Sequence, residues 1–156
     1  SLRLDEATAH PRLVLAEEQK VVRWEETPRP VVDNPKRFDS SRCVLTREGF
    51  TSGRHFWEVE VASGGAWAVG VAKETLGRKG RVGVTPQGGI WAVGQCGGQL
   101  QALTSPPTPI SCPGGPQVLG VFLDYEEGRV VFVDSQGGVP IFSYPPVDFG
   151  GEKIFP

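Results

Sequence analysis

An alternating stretch near the middle of the chain constrains the fold more than any other feature. Across residues 57–61, tryptophan and valine alternate with Glu58 and Glu60. A period of two predicts a β-strand with one face in a core and the other in water. The next apolar segment, residues 67–72, has bulky side chains at every second position and only alanine or glycine between them. It predicts a second strand that is covered on both faces, with small residues where another layer lies close.

Short apolar segments separated by turns continue along the chain, which has 21 Gly and 14 Pro among 156 residues. Further strands are predicted near 13–15, 21–24, 43–46, 81–84, 89–94, 99–103, 117–124, 129–134 and 139–144. A very short helix is predicted from an Asp5 cap through Ala9, and the proline-rich residues 105–116 predict a loop. We therefore predict one all-β domain over residues 1–156, a distorted antiparallel β-sandwich of two sheets with a short N-terminal helix.

Charge and cysteine content limit the classes of partner and compartment. The formal net charge of −2 gives no electrostatic reason to expect nucleic acid. No apolar run approaches bilayer length and no signal peptide is visible, so no direct membrane contact is expected. Cys43, Cys96 and Cys112 lack the spacing of a zinc site, which predicts free thiols in a reducing compartment, with a single disulfide among them as the alternative. We therefore expect a cytoplasmic domain.

Residues able to do chemistry are few and lack the partners that catalysis needs. His10 and His55 have no nucleophile at a recognisable spacing, so each is interpreted as a structural residue. The carboxylates of Asp124, Glu126 and Glu127 offer too few oxygens for a calcium site. We predict no catalytic residue, no metal site and no cofactor.

The sequence of residues 49–61, Gly-Phe-Thr-Ser-Gly-Arg-His-Phe-Trp-Glu-Val-Glu-Val, resembles the central signature of the PRY–SPRY domain. This domain is the recognition module at the C-terminus of many tripartite-motif (TRIM) ubiquitin ligases and of butyrophilins. Ordered matches at residues 4–11, 34–39, 91–94 and 121–126 extend the resemblance over almost the whole chain.

The resemblance implies an SPRY-type sandwich, a concanavalin-like jelly roll. Residues from 1 to about 48 would form its PRY subregion and residues 49–156 its SPRY subregion. The family usually continues beyond the motif at residues 150–156 into a final strand. We therefore expect that strand to be truncated here and one sheet edge to lack a partner.

The resemblance also implies a binding function. It favours the substrate-recognition domain of a TRIM-type E3 ubiquitin ligase, which binds a protein or peptide target through variable loops. Catalysis would come from a RING domain outside this chain, so the domain itself is not expected to be an enzyme; it would be monomeric alone and part of a coiled-coil dimer in its parent. The alternative is an intracellular butyrophilin-type domain that senses small phosphorylated ligands. Ala68 stands where those butyrophilins carry a pocket histidine, so a peptide or protein ligand is expected rather than a phosphorylated one, and we expect the chain to be closer to the TRIM ligases.

Loops on a rigid scaffold carry specificity, and arginine and aromatic side chains dominate binding energy once desolvated. On that basis the predicted ligand-binding residues are Arg42, Arg81, Gln99 and Phe149, lining a pocket floored by Trp91, with Gln95 and Gln101 adding amides. Arg81 belongs to a basic cluster with Arg78 and Lys79. The alternative is that this cluster is only solvated and that Phe149 packs inward. The four tryptophans, Trp24 among them, are expected to lie mostly in the core.

Overall fold

Antiparallel strands make up nearly all of the regular structure in the computed structural model, which describes residues 1–156. The strands are β1 (Leu13–Ala16), β2 (Val21–Trp24), β3 (Arg54–Glu60), β4 (Trp67–Lys73), β5 (Ile90–Cys96), β6 (Gln99–Ala102), β7 (Thr108–Pro109), β8 (Val118–Asp124), β9 (Arg129–Asp134), β10 (Val139–Ser143) and β11 (Ile154–Phe155). Two one-turn 3₁₀ helices span Glu6–Thr8 and Pro86–Gly88. The first is capped by the Asp5 carboxylate, which accepts a hydrogen bond from the backbone N–H of Ala7. The predicted all-β architecture is confirmed.

The strands form two main sheets and one separate hairpin. Sheet A has the strand order β10-β9-β8-β3, and sheet B has the order β11-β4-β5-β6-β7. Side chains from the facing surfaces of these sheets form the main core, where Leu119 and Phe132 of sheet A lie with Val71 and Val93 of sheet B. Strands β1 and β2 pair only with each other, and we call them the N-terminal hairpin. The sandwich therefore carries a small hairpin outside its two sheets.

The alternating stretch forms β3, which pairs with β8 along its whole length. Trp57 packs against the main core, while Phe56, Glu58 and Glu60 are exposed on the opposite face. Successive side chains of a strand point to opposite faces, so this is the pattern that the sequence predicts. Strand β3 has β8 as its only strand partner and therefore lies at the edge of sheet A.

Strand β4 is covered on both faces at its C-terminal end. Val71 lies in the main core, whereas Ala72 packs on the opposite face in a second cluster, which we call the outer cluster. The buried members of the outer cluster are Phe38, Leu45, Ala72, Val82, Ile90 and Ala92. Residues 38–45 thus cover one half of the outer face of sheet B, while Ala68 at the other end of β4 is exposed.

Two of the predicted strands are wrong, because residues 43–46 and 81–84 lie outside the regular strands. Their apolar side chains are buried as expected, since Leu45 and Val82 both belong to the outer cluster. The backbone instead finds partners outside a sheet: the N–H of Val82 donates to Ser41 Oγ at 2.9 Å. A short apolar run indicates burial and does not distinguish a strand from a buried loop.

Sheet B ends on two very short strands. Strand β7 lies within the proline-rich segment predicted as a loop and places Pro109 at the sheet edge, where no donor is needed on the outer side. At the other edge, β11 pairs with residues 72 and 73 of β4, and on its other side Ile154 exchanges two backbone hydrogen bonds with Phe50, at 2.8 and 2.9 Å.

Gly128 lies in a turn where the backbone leaves no room for a side chain. Its φ is +65°, and a Cβ at this position would lie 1.7 Å from the carbonyl oxygen of Val147. The N–H of Val147 donates to the Gly128 carbonyl at 3.0 Å. We expect Gly128→Ala to lower the free energy of unfolding by about 3 kcal/mol, because the turn must move and break this contact.

The matched control is Gly98→Ala. Gly98 also has a positive φ, +78°, but nothing lies within 4 Å of a Cβ built there. For alanine at this position only the left-handed backbone conformation is unfavourable, so we expect the free energy of unfolding to fall by about 1 kcal/mol. Urea unfolding of both variants measures the difference, and equal losses would contradict the steric argument.

Candidate functional site

Trp91 and Phe149 lie inside the molecule. Their residues are 4% and 2% exposed, and their ring centroids are 5.3 Å apart in an edge-to-face arrangement. Phe149 also lies 5.2 Å from the ring of Tyr125, so three rings close one end of the core. The inward packing considered as the alternative for Phe149 is therefore the arrangement observed. Neither ring is exposed enough to anchor a ligand.

The three predicted glutamines point to different faces of sheet B. Gln95 lies opposite Leu100, which is buried in the main core, whereas Gln99 and Gln101 lie on the other face. The Gln99 side-chain amide donates to the carbonyl of Leu100 at 2.8 Å. These side chains therefore do not converge on one pocket with the buried aromatic rings.

Two of the three side chains of the basic cluster, Arg78 and Lys79, contact groups of their own chain. Lys79 Nζ donates to Asp33 Oδ1 at 2.6 Å and to two backbone carbonyls at 2.7 and 2.8 Å. This hydrogen bond from Lys79 lowers the pKa of the Asp33 carboxyl. The guanidinium carbon of Arg78 lies 5.7 Å from the centroid of the Phe38 ring. Arg81 is exposed, so the interpretation of a merely solvated cation fits Arg81 and not its two neighbours.

Arg42 lies over an exposed tryptophan. Its guanidinium carbon is 5.5 Å from the centroid of the Trp24 ring, within the range of a cation–π interaction. Trp24 is 51% exposed, and Val22 on the same face of β2 is 39% exposed. None of the five ion pairs in the structure includes Arg42. We call Val22, Trp24 and Arg42 the Trp24–Arg42 patch.

Trp24 departs from the expectation that the tryptophans lie in the core. The hairpin register places it opposite Leu13 and places Val22 opposite Leu15 on the same face. Leu13 is buried, but the hairpin pairs with neither main sheet, and the Trp24 side chain beside it is half exposed. The one sequence signal was the long polar segment 25–41, which follows β2 and supplies no further strand to extend the hairpin.

His10 is buried close to Arg42. Its Nδ1 accepts a hydrogen bond from the backbone N–H of Arg12 at 3.0 Å, and the backbone N–H of His10 donates to the carbonyl of Cys43 at 3.1 Å. Burial lowers the pKa of the imidazole, and the positive charges of Arg42 and Arg12 lower it further, while Asp39 acts in the opposite direction. With His10 neutral, the two arginines supply the positive charge of this region.

Two shallow depressions lie elsewhere on the surface. One, of about 500 Å³, is lined by Tyr125, Glu126, Pro146, Val147, Asp148 and Phe149. The other, of about 450 Å³, is lined by Gln99, Pro109, Ile110, Ser111, Cys112 and Pro113. Neither contains a lysine or arginine, so neither suits a phosphorylated ligand. The three cysteines are unpaired, and no group of three or more His, Cys, Asp or Glu side chains is placed to hold a metal ion.

Comparison with known proteins places this architecture in a family. The family model of the SPRY-associated domain, PRY, matches residues 2–50, and the SPRY domain model matches residues 54–156. The chain belongs to the PRY–SPRY family. This PRY–SPRY domain therefore shares its scaffold with a group of interaction modules, as the resemblance implied.

Relatives of this PRY–SPRY domain include butyrophilins and a ubiquitin ligase. Butyrophilin subfamily 1 member A1 from Bos taurus is 45% identical over 148 residues, which are 95% of this chain and 28% of that protein. E3 ubiquitin-protein ligase TRIM58 from Homo sapiens is 40% identical over 144 residues, which are 92% of this chain and 30% of that protein. The chain thus spans less than a third of these relatives.

Solved structures share the fold. The TRIM65 PSpry domain superposes with a TM-score of 0.81 at 20% sequence identity, covering 99% of this chain and 81% of that chain. The stonustoxin structure has the same TM-score of 0.81 at 27% identity and covers 99% of this chain and 24% of that chain. No helix of this domain has both the length and the apolar composition needed to cross a bilayer.

The buried position of Phe149 can be tested by stability. We expect Phe149→Ala to lower the free energy of unfolding by about 3–5 kcal/mol, because it leaves a cavity beside Trp91 and Tyr125. Arg81→Ala, at an exposed position, should change it by no more than about 0.5 kcal/mol. Urea denaturation measures both, and a small loss for Phe149→Ala would show that its ring is not part of the core.

The environment of His10 predicts a dependence of stability on pH. Because burial lowers its pKa in the folded state, the unfolded chain takes up a proton first as the pH falls. The contribution of neutral His10 to the free energy of unfolding is therefore fully present above the ordinary histidine pKa. It is lost as the pH falls from that pKa toward the lowered pKa of the folded state. We expect His10→Gln to reduce this loss between pH 7.5 and about 5.5, and His55→Gln to retain it. Denaturant midpoints measured over that range check the prediction, which fails if both variants follow the wild type.

Proposed function

We propose that this PRY–SPRY domain recognises a protein or peptide target and that the Trp24–Arg42 patch forms part of the recognition surface. The observation that carries the proposal is an arginine held over a half-exposed tryptophan, with no carboxylate partner inside the protein. Tryptophan and arginine are enriched among the residues that dominate protein–protein binding energy. The SPRY match agrees with this role, because SPRY domains bind protein or peptide targets.

The patch is suited to binding because it is ordered before a partner arrives. The cation–π contact restrains the long Arg42 side chain, so less conformational entropy is lost when a partner binds it. Val22 and Trp24 present apolar surface from a hydrogen-bonded hairpin. Removing such surface from water contributes roughly 25 cal/mol for each Å² buried.

The same recognition role fits two kinds of parent protein. In a TRIM-type parent, which the likeness to E3 ubiquitin-protein ligase TRIM58 supports, the domain would bind the cytosolic substrate that a RING domain elsewhere in the chain ubiquitinates. In a butyrophilin-type parent, which the 45% identity to butyrophilin subfamily 1 member A1 supports, it would bind a partner inside the cell. The sequence upstream of residue 1 distinguishes them: a coiled coil indicates a ligase and a transmembrane helix a receptor.

A small phosphorylated ligand is the weaker candidate. Phosphate recognition needs several donors that converge on one point. Lys79 is engaged with Asp33 and backbone carbonyls, and Arg78 lies over Phe38. Neither surface depression contains a cation. The geometry therefore favours a protein or peptide over a metabolite.

The proposal predicts that binding depends on the patch. A display library of natural disordered protein fragments is selected on the wild-type domain, and the enriched fragments are measured by biolayer interferometry. We expect Trp24→Ala and Arg42→Ala each to weaken binding about tenfold or more, because they remove the apolar surface and the cation.

Arg23→Ala is the matched control, since Arg23 is an exposed arginine on the opposite face of the hairpin, outside the patch. It should bind the fragments as the wild type does. Thermal unfolding confirms that each variant is folded. Fragments that bind the Trp24 and Arg42 variants at full strength would exclude the patch. Heat released on calorimetric titration with inorganic pyrophosphate would instead support the phosphorylated-ligand alternative.

A further inference from the structure

We infer that the Trp24–Arg42 patch accepts a partner segment in which an Asp or Glu carboxylate lies close to an apolar side chain. The carboxylate would bind the Arg42 guanidinium, and the apolar side chain would pack on Trp24 and Val22. This inference rests on the proposed function of the patch and adds the chemistry of the partner.

The first argument is that Arg42 has a charge but no acceptor. Arg29 and Arg37 pair with the Glu6 carboxylate, and Arg54 lies near an aspartate. Arg42 takes part in none of the ion pairs of the domain. A guanidinium presents five N–H donors in a planar fork, and this fork matches both oxygens of a carboxylate. Arg42 has no carboxylate partner within the domain, so an acidic side chain of a binding partner would complement its charge.

The second argument is the sign of the charges nearby. Arg12 Nη1 donates a hydrogen bond to the backbone carbonyl of Glu26 at 2.8 Å. Because this carbonyl is neutral, the bond does not compensate the charge of Arg12. The charges of Arg42 and Arg12 both lower the pKa of the buried His10, whereas Asp39 raises it. The glutamates that follow β2 are exposed and form no ion pair with either arginine. Arg12 and Arg42 are therefore two cations of this region that form no ion pair with a carboxylate of the domain.

The third argument is the apolar surface beside the cation. Val22 and Trp24 are two residues apart on one strand, so their side chains lie roughly 6.6 Å apart on the same face. In an extended partner segment, side chains i and i+2 also lie on one face at about this spacing, so both can contact the patch. We expect the carboxylate and the apolar side chain to be two positions apart. A free small anion would leave Trp24 and Val22 uncovered.

The test uses random dodecamer peptides displayed on phage and selected on the wild-type domain. Enriched peptides are synthesised, and their affinities are measured by fluorescence polarisation. We expect an Asp or Glu two positions from an apolar residue, and Arg42→Glu should weaken binding about 30-fold or more. Arg42→Lys keeps the charge but loses the fork, so it should weaken binding less.

Arg23→Glu is the matched control. Arg23 is next to Trp24 on β2 and lies on the opposite face of the hairpin, so the same change in charge should alter affinity by no more than about twofold. Exchanging the charges of residue 42 and the peptide distinguishes a direct contact of Arg42 with the peptide from a structural role of Arg42. Replacing the peptide carboxylate with lysine should restore about tenfold of the affinity for Arg42→Glu, which a purely structural role of Arg42 would not produce.

The outcomes distinguish this inference from the proposed function. Peptides that depend on Trp24 but lack a carboxylate, or that bind Arg42→Glu as tightly as the wild type, would overturn the inference and leave the proposed function standing. Peptides that bind both Trp24→Ala and Arg42→Glu at full strength would overturn both, as would the failure to enrich any peptide.

Discussion

Packing between the two sheets is the constraint on which the rest of the structure depends. Val93 of sheet B and Val121 and Phe132 of sheet A are completely buried between the layers. Tyr144, which follows β10, donates its hydroxyl to the carbonyl of Ala92 on β5 at 2.6 Å and so links the layers directly. In a close-packed interior, a change in volume of even one methylene group lowers stability, so the two sheets hold fixed positions. The loops at the ends of the sandwich therefore start from fixed positions.

Polar contacts attach the N-terminal region to this sandwich. Arg37 is buried, and its Nη1 donates to the carbonyls of Ala9 at 2.6 Å and Glu6 at 3.0 Å. Lys79 holds residues 33–37 from the other side. A buried cation without such acceptors would be strongly destabilising. These contacts fix the polypeptide on either side of the N-terminal hairpin, which no third strand joins.

The cations of the domain thus divide by role. Those that bind carbonyls and carboxylates of their own chain, such as Arg37 and Lys79, hold the fold together. Arg42 lies on Trp24 and forms no ion pair within the domain. A fold alone does not specify a function, which resides in groups on its surface.

The sequence by itself determined the family, the all-β sandwich and the one-sided burial of β3, because side-chain alternation is a local property of a strand. It did not indicate which of the candidate side chains are exposed. The predicted Phe149 is buried, while Trp24, expected among core residues, is exposed. Only the tertiary structure decided this, because whether a face is covered depends on segments far apart in the chain. Residues 38–45 cover one half of the outer face of sheet B, whereas at the hairpin Leu13 is buried and Trp24, which lies opposite it, is left half exposed under Arg42.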